Sequence, residues 1–247
     1  MTDHDPFDDH GGETFEPIEI IVLDDPVELR RLNQLFNQVW GTVTPLVGIE
    51  LLRAIGHTGG YVAGAFAHGR MVGGSLGFLG RHSGELALHS HMTGILPGVR
   101  HTGVGRQMKL HQRDWAVKEG LAWVTWTFDP LVRRNAWFNI GVLGATVDDY
   151  LVDFYGRMND SINGNDPSDR LLVGWSTRTP DNLPPPAAPP PGAIAVPTPE
   201  DIVVLRRTDP AEAATWRLRV REEHGGHLAS GGRVVGFTRE GSYLVVP

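Results

Sequence analysis

The stretch that decides the fold reads ILPGVRHTGVG over residues 95–105. It follows an apolar segment, residues 86–95, that has the composition of a β-strand. It leads into residues 103–118, where apolar and aromatic side chains recur at helical spacing. A second apolar, β-rich run follows at 121–128. The sequence therefore predicts a strand, a tight turn, a helix and a second strand centred on residues 95–105.

Two glycines in this turn, Gly103 and Gly105, predict that it binds an anion. Glycine permits positive φ, and because it has no Cβ a phosphate can approach the backbone N–H groups. The positive end of the following helix dipole lies at the same place. The turn matches neither the Walker pattern GxxxxGK nor the dinucleotide pattern GxGxxG, which disfavours a nicotinamide cofactor. Two glycines before a helix also occur for purely structural reasons, and the turn alone leaves that alternative open.

The elements around this unit follow from hydrophobic periodicity. Upstream we predict a strand at 18–23, a helix at 28–40 and two strands at 60–67 and 71–78. Downstream we predict a helix at 135–143 and a strand at 170–175. Strands and helices that alternate in this way predict the α/β (α+β) class.

The two ends of the chain differ in composition from its middle. Residues 1–16 are acidic and polar and predict a disordered arm. Residues 179–193 are rich in proline and predict an extended linker, with an SH3-type ligand as the alternative. Residues 194–247 predict a strand at 202–205, a helix at 210–222 and a terminal hairpin. This C-terminal piece is short for an independent core, so we expect a small α/β appendage that docks on the main domain.

The composition excludes several classes of protein. The formal net charge of −7 indicates no basic surface for nucleic acid or for an anionic membrane. The chain has no cysteine, which excludes disulfides, zinc-thiolate sites and cysteine nucleophiles. No stretch approaches the ~20 apolar residues of a membrane span, and the N-terminal residues lack a signal-peptide pattern. These features predict a cytoplasmic protein with no nucleic-acid or membrane partner.

Residues 95–105 closely resemble the acyl-CoA-binding signature of the GNAT acetyltransferases. The matching features are a strand that ends in an aliphatic residue, a proline two positions on, and Arg100, Gly103 and Gly105 at the family's spacing. The resemblance covers residues 17–178 and is most specific over 86–145. It is closest to a subgroup of predicted acetyltransferases that share tracts like Lys109–Gln112, Thr125–Leu131 and Arg134–Ala136. The resemblance implies the GNAT fold, a mixed central β-sheet flanked by helices.

The resemblance also implies where an acyl-CoA would bind. Backbone groups of Thr93 and Ile95 would pair with the pantetheine arm, and the Ile95 N–H would support the thioester oxyanion. Main-chain amides of the turn would hold the pyrophosphate. The implied cofactor-binding residues are Thr93, Gly94, Ile95, Arg100, His101, Thr102, Gly103, Val104, Gly105, Arg106 and Asn135. The co-substrate would be acetyl-CoA or another short acyl-CoA, and no metal is expected.

Two histidines, His89 and His91, are the predicted proton-transfer residues. They lie two apart on one predicted strand and so on one face, which Ile95 shares by parity. Their ordinary pKa of about 6.5 suits a general base. The pair resembles the histidine pair of certain arylalkylamine-acetylating GNATs, which serves as a proton relay. Two alternatives stay open, namely histidines that satisfy buried hydrogen bonds and a metal-chelating pair.

The sequence departs from the family at two positions. The tyrosine that protonates the departing thiolate in many GNATs aligns with Ile140, so water, Tyr150 or Tyr155 would have to replace it. The usual pantetheine-contacting asparagine aligns with Arg133, two residues from Asn135.

Arg133 and Arg134 are the candidate residues for binding an acceptor carboxylate or the CoA phosphates. The alternative is a structural arginine that is exposed or paired with Asp129.

The resulting expectation is an N-acyltransferase that moves an acetyl or other short acyl group to a primary amine of a small molecule or amino acid. The alternative is a GNAT-derived CoA-binding or regulatory module that has lost catalysis, which the residue Ile140 suggests. The family also includes homodimers, although no sequence feature here requires one.

Overall fold

The computed structural model describes residues 18–100, 102–158, 166–178 and 189–247. The predicted acidic arm at 1–16 and most of the predicted linker, residues 179–188, lie outside these ranges. The described residues fall into two compact units, the first ending at Thr125 and the second beginning at Trp126.

The first unit contains five strands and three helices in the described ranges. The strands are β1 (Glu19–Val22), β2 (Tyr61–Ala67), β3 (Arg70–His82), β4 (Glu85–Ile95) and β5 (Trp123–Phe128), whose last residues lie in the second unit. The helices are α1 (Pro26–Trp40), α2 (Ile49–His57) and α3 (Val104–Lys118). The strand order is β1-β2-β3-β4-β5, with antiparallel neighbours as far as β4 and a parallel β4–β5 pair. The predicted unit of strand, helix and strand around the turn is present, and α2 is a helix that was not predicted from the sequence.

Helix α1 begins and ends where its sequence provides caps. The Asp25 carboxylate accepts the Val27 N–H at 2.7 Å, Pro26 occupies the first turn, and Gly41 ends the helix with φ 67°. Its apolar face is buried in a core cluster with residues of α2, β2 and β3. The predicted 28–40 helix is therefore extended by two residues at its N-terminus.

Both faces of β3 are covered by helices at close range. A Cβ on Gly74 would clash with the Leu32 side chain of α1, and a Cβ on Gly73 would lie 2.8 Å from the Met108 sulfur of α3. Glycine at these two positions lets α1 approach one face of the sheet and α3 the other. The expected mixed sheet flanked by helices follows from this packing.

The second unit contains the remaining elements. They are the strands β6 (Thr146–Leu151), β7 (Arg170–Ser176), β8 (Ile194–Pro197), β9 (Arg233–Phe237) and β10 (Ser242–Val246), and the helices α4 (Arg133–Ala136), α5 (Ile202–Thr208) and α6 (Pro210–Ala229). Strands follow the orders β5-β7-β6 and β8-β10-β9. Helix α4 continues as a π-helical segment, Trp137–Val142, so the helix predicted at 135–143 is present.

One predicted element of the second unit is wrong. The sequence predicts a strand at 202–205, which are apolar and of which the first three are β-branched, but these residues open helix α5. The Asp201 carboxylate accepts the N–H groups of Val203 and Val204 at 2.9 and 3.1 Å. This N-cap satisfies the first turn of a helix and outweighs the weak strand propensity. The predicted helix at 210–222 and the terminal hairpin are present as α6, β9 and β10.

Buried ion pairs connect distant parts of the second unit. Arg217 of α6 binds Asp129 through both carboxylate oxygens, at 2.9 and 3.0 Å, and also binds Asp166 at 2.8 Å. Arg206 of α5 contacts the same two aspartates. The described residues of 126–178 and 194–247 therefore belong to one packed unit, while the predicted limits 17–178, 179–193 and 194–247 stay a prediction. Among the described residues, no helix is long and apolar enough to cross a membrane.

Candidate functional site

The turn between β4 and α3 has the backbone conformation that its glycines allow. A 3-10 turn at Pro97–Val99 is followed by Gly103, whose φ of 79° lies in the left-handed region that favours glycine. The Thr102 hydroxyl donates to the Val99 carbonyl at 2.8 Å and braces the turn. Arg100 donates from Nε to the Ile95 carbonyl at 3.4 Å. His101 lies outside the described residues.

The N-terminus of α3 presents backbone N–H groups without a side-chain cap. The Gln107 N–H donates to the Gly103 carbonyl at 3.0 Å, so the N–H groups of Val104, Gly105 and Arg106 precede the helix's hydrogen-bond ladder. A Cβ built on Gly105 would meet no described atom within 4 Å, and the same holds for Gly98. The space around the Cβ positions of Gly98 and Gly105 is therefore open on the described side, which leaves room for an anion to approach the turn.

Near the end of β4, the backbone N–H and C=O groups of Thr93 and Ile95 point away from β3. The Leu96 N–H donates to the Val72 carbonyl at 2.9 Å. Successive backbone groups of a strand alternate in direction, so those of Thr93 and Ile95 point to the opposite edge of β4. β4 and β5 pair in parallel over Ala87 to His89, and β4 runs on for six residues beyond His89 to Ile95. The geometry at Thr93 and Ile95 suits the addition of an extended ligand arm as a further strand.

A β-bulge in β4 changes which side chains share a face. Gly77 pairs with Ser90 and Leu76 pairs with Met92, so His91 is an extra residue. The parity expectation that placed Ile95 on the histidine face is therefore wrong. Ile95 packs with Met108 and Val104 on the α3 side, whereas Met92 packs with the cluster around α1.

His89 and His91 lie together with Phe78 on the same face of the sheet. The rings of His89 and His91 are 6.3 Å apart, and the Phe78 ring lies 5.2 Å from His89 and 5.6 Å from His91. The His89 Nδ1 is 3.1 Å from the Thr125 hydroxyl, where either group can donate, depending on the histidine tautomer. Phe78 and Thr125 were not predicted as site residues, because only the strand register places them beside His89.

Both histidines are held in the neutral form. Burial lowers the pKa of His89 to about 4, with further lowering by the charges of His91 and Lys109. Burial also lowers the pKa of His91. The pKa values of both histidines therefore lie below the ordinary value of about 6.5 that the sequence alone suggests. A neutral imidazole at pH 7 is able to accept a proton. In the described ranges, no group of three or more His, Cys, Asp or Glu is arranged to hold a metal ion.

Gly94 has a packing reason of its own. A Cβ at Gly94 would lie 2.9 Å from the Trp40 ring of α1. This close approach explains the glycine without a ligand, and the expected cofactor contact of Gly94 through its backbone stays a prediction.

The predicted residues of the second unit differ in their surroundings. Arg133 is half-buried and donates to the side chain and carbonyl of Thr198, so it is neither exposed nor paired with Asp129. Arg134 and Asn135 are exposed. Their proposed roles toward acceptor and cofactor stay predictions.

The two tyrosines that the sequence offered as acids have different environments. The Tyr150 hydroxyl is buried and donates to the Asp169 carboxylate at 2.8 Å, and burial together with Asp169 raises its pKa. Tyr155 is exposed and its hydroxyl lies 3.1 Å from that of Thr127. Tyr150 is therefore poorly suited to release a proton, because its phenol proton is held by a carboxylate.

Solved structures resemble this chain in fold. An N-acetyltransferase of Escherichia coli that acts on the alanine of a ribosomal protein matches with a TM-score of 0.53 at 12% identity, over 68% of this chain and 99% of that chain. A GNAT-family acetyltransferase of Streptococcus pneumoniae matches with a TM-score of 0.52 at 14% identity, over 65% of this chain and 99% of that chain. An Arabidopsis thaliana protein solved with the bisubstrate analogue CoA-Ac-MVNAL matches with a TM-score of 0.50 at 20% identity, over 64% and 97%.

These likenesses confirm the expected fold class. The chain has the GNAT fold, a mixed β-sheet flanked by helices. At the level of sequence, no protein-family model and no curated protein matches the chain.

Proposed function

We propose that the protein is an acyl-CoA-dependent N-acyltransferase that moves an acetyl or other short acyl group to a primary amine. The observation that carries the proposal is the uncapped, glycine-opened N-terminus of α3 next to the outward-directed backbone of Thr93 and Ile95. The GNAT fold of the chain supports it, since CoA is part of the bisubstrate analogue held by the Arabidopsis neighbour.

The α3 N-terminus suits the pyrophosphate of CoA. The N–H groups of Val104, Gly105 and Arg106 and the helix dipole favour a negative charge, and Gly105 leaves room for close approach. The pantetheine arm would then extend along Thr93 and Ile95, where an oxyanion would meet the Ile95 N–H. Arg100 and Thr102 shape the turn between these two parts, and Asn135 is the proposed further contact.

The histidine pair would take up the proton that the amine loses. The amine nitrogen attacks the thioester carbon, the C–S bond breaks, and the nitrogen gives up one proton as the amide forms. His89 and His91 are neutral near pH 7, because burial lowers the pKa of each, so either is able to accept that proton.

The same pair would return the proton to the departing thiolate. A histidinium with a pKa near 4 is a much stronger acid than a thiol, whose pKa is about 8.5. Proton return therefore needs no tyrosine at the position of Ile140. This route removes the main argument for an inactive CoA-binding module, while Tyr155 and water remain other sources of the proton.

The proposed acceptor is a small-molecule amine or amino acid, and a peptide N-terminus is the competing class. Alanine of a ribosomal protein is the acceptor of the Escherichia coli neighbour, which has the same fold at 12% identity. Arg134 is exposed and is proposed to bind an acceptor carboxylate, whereas Arg133 is already bonded to Thr198. A homodimer remains a further prediction.

The test is a free-thiol release assay on the full chain with acetyl-CoA and succinyl-CoA. The acceptor panel contains arylalkylamines, polyamines, amino acids and short peptides with free N-termini. We expect turnover with at least one small amine that exceeds the turnover with every peptide. Binding of acyl-CoA without turnover on any acceptor would favour the inactive-module alternative instead.

A further inference from the structure

A lysine of α3, Lys109, is buried behind β4 and joins a polar network there. Its side chain is almost completely inaccessible. The ammonium group donates to the Ser90 hydroxyl at 2.9 Å and to the Gln112 side-chain carbonyl at 3.3 Å. Lysine is among the residue types that are least often fully buried, because its charge loses water there. A buried lysine at this place therefore calls for an explanation beyond packing.

The network continues from Gln112 to the other side of the β4 bulge. Gln112 donates from Nε2 to the Ser75 hydroxyl at 3.1 Å. The Ser75 hydroxyl lies 3.1 Å from the Met92 carbonyl and 3.0 Å from the Thr93 hydroxyl. Lys109 thus binds Ser90, the residue before His91. Through Gln112 and Ser75 it is also linked to Met92 and Thr93, the residues after His91.

The register of the sheet explains why the hydrogen-bond network contacts the residues on both sides of His91. Ser90 and Thr93 lie on the α3 face, although they are three apart, because the bulge at His91 inserts one residue between them. A bulge leaves one residue without its ladder partner, so its geometry depends on what holds the flanking residues. Here the flanking residues are held by side chains of one helix, α3, and by Ser75 of β3.

Resting on the proposed function, we propose that Lys109 is a positioning residue: it clamps the β4 bulge from α3 and thereby fixes the placement and charge state of the histidine pair. α3 also carries the proposed pyrophosphate site at Val104 to Arg106, five to three residues before Lys109. One rigid element then sets both the cofactor position and the histidine position. No acyl or proton transfer step passes through Lys109 itself.

The charge of Lys109 acts on the histidines as well. Around His89 the charged or titratable neighbours in its unit are His91 and Lys109, with the Thr125 hydroxyl and the Phe78 ring as neutral contacts. A cation close to an imidazole disfavours its protonated form. Burial lowers the pKa of Lys109 to about 7, so this positive charge is lost as the pH rises through neutrality.

The experiment measures histidine titration by NMR in the unliganded full chain. Lys109→Met removes the charge and keeps the apolar stem, and Lys118→Met removes an exposed charge from the same helix as the matched control. We expect Lys109→Met to raise the pKa of His89 by roughly half a unit or more toward its ordinary value, and Lys118→Met to leave it unchanged. A folded Lys109→Met variant with an unchanged His89 pKa would overturn the proposal.

A second variant keeps the test decisive if Lys109→Met does not fold. Ser90→Ala keeps the lysine charge and removes only the hydroxyl that it holds. We expect hydrogen exchange of the His91 to Thr93 amides to quicken by about tenfold, since the bulge loses one anchor. Unchanged exchange in Ser90→Ala would contradict the clamp. Both readouts are taken without acyl-CoA, so a lack of transferase activity would leave them intact and would count only against the proposed function.

Discussion

Gly103 and Gly105 lie two residues apart and are glycines for different reasons. Gly103 has a positive φ of 79° that a side chain would strain. Gly105 belongs to the first turn of α3 and faces open space. A substitution at Gly105 therefore tests the anion site without straining the backbone.

Gly105→Val is expected to weaken acyl-CoA binding without unfolding the protein. Its side chain would occupy the open space beside Gly105 in the first turn of α3, and we expect a loss of roughly tenfold or more in affinity, about 1.4 kcal/mol. Gly225→Val is the matched control, because Gly225 is also helical and also meets no described atom within 4 Å of its built Cβ. Isothermal titration with acetyl-CoA measures both. Equal affinity of the two variants would count against the site.

The histidine pair predicts an unusually acidic limb in the pH–rate profile. A base must be unprotonated to act, and burial lowers the pKa of His89 to about 4. Once the rate is corrected for the fraction of the acceptor amine that is unprotonated at each pH, it should therefore persist from neutral pH down to about pH 5, below the ordinary histidine pKa of about 6.5, and fall only as the pH approaches 4.

Replacing the pair tests that assignment. In the His89→Ala, His91→Ala double variant we expect kcat to fall by about 100-fold and the acidic limb to move or vanish. An unchanged pH–rate profile in the double variant would remove both residues from the proton path. His57→Ala, at an exposed histidine of α2, is the control and should leave the profile as it is.

At the scale of the element, α6 carries a buried histidine whose two ring nitrogens have no hydrogen-bond partner in the described part of the chain. His224 packs edge-on against Tyr243, at 4.5 Å between ring centroids, and lies 6.0 Å from Tyr150. Burial lowers its pKa to about 4, with a smaller contribution from His227. Such a group costs stability whenever the unfolded chain binds a proton that the folded chain does not.

His224→Phe is expected to stabilise the protein, and more so in acid. Between pH 6.5 and 4 the unfolded histidine is protonated and the folded one is not, so wild-type stability falls as the pH falls by up to about 3 kcal/mol. Phenylalanine keeps the ring contact with Tyr243 and removes this loss. Urea denaturation at pH 7 and pH 4.5 measures the difference, with half-buried His227→Phe as control. A variant that is less stable than wild type at pH 4.5 would refute the assignment.

Elements also show what the sequence was able to predict. Helices with apolar side chains at helical spacing, such as α1 and α3, are present close to their predicted bounds. Two failures have physical causes. Residues 202–205 have strand propensity, but the Asp201 cap makes them helical. The alternation of side chains along a strand placed Ile95 on the wrong face. The bulge at His91 depends on how β4 pairs with β3, and no residue type in the β4 sequence indicates it.

At the scale of the whole molecule, the turn that opens α3 was recognisable from sequence, whereas the polar network behind β4 was not. Gly103 and Gly105 lie in one continuous stretch. Lys109, Ser90 and Ser75 come from three separate elements, and only their packing brings them together. The same holds for the ion pairs of the second unit, where Arg217 and Asp129 are 88 residues apart.

Those ion pairs predict acid sensitivity of the second unit. Although burial opposes it, Arg217 with Arg206 and Arg170 holds the pKa of Asp129 well below its usual range. A lowered carboxylate pKa contributes stability that is complete above the unfolded value of about 3.9 and is lost as the pH falls below it.

Asp129→Asn is therefore expected to cost about 3 kcal/mol or more at pH 7, because Arg217 stays buried without its full partner. The gap to wild type should narrow between pH 4 and pH 2.5. Glu223→Gln, which breaks an exposed pair with Arg219, is the control and should cost under about 1 kcal/mol. Urea denaturation at several pH values checks this, and a gap that stays constant with pH would contradict the linkage.

The central claim, that the turn at Arg100 to Arg106 and the adjoining edge of β4 bind an acyl-CoA, is tested most directly by calorimetric titration of the full chain with acetyl-CoA. We expect saturable binding in the micromolar range, at about −8 kcal/mol, and weaker binding of the Gly105→Val variant. No detectable binding of acetyl-CoA or succinyl-CoA by the folded wild-type chain would contradict it.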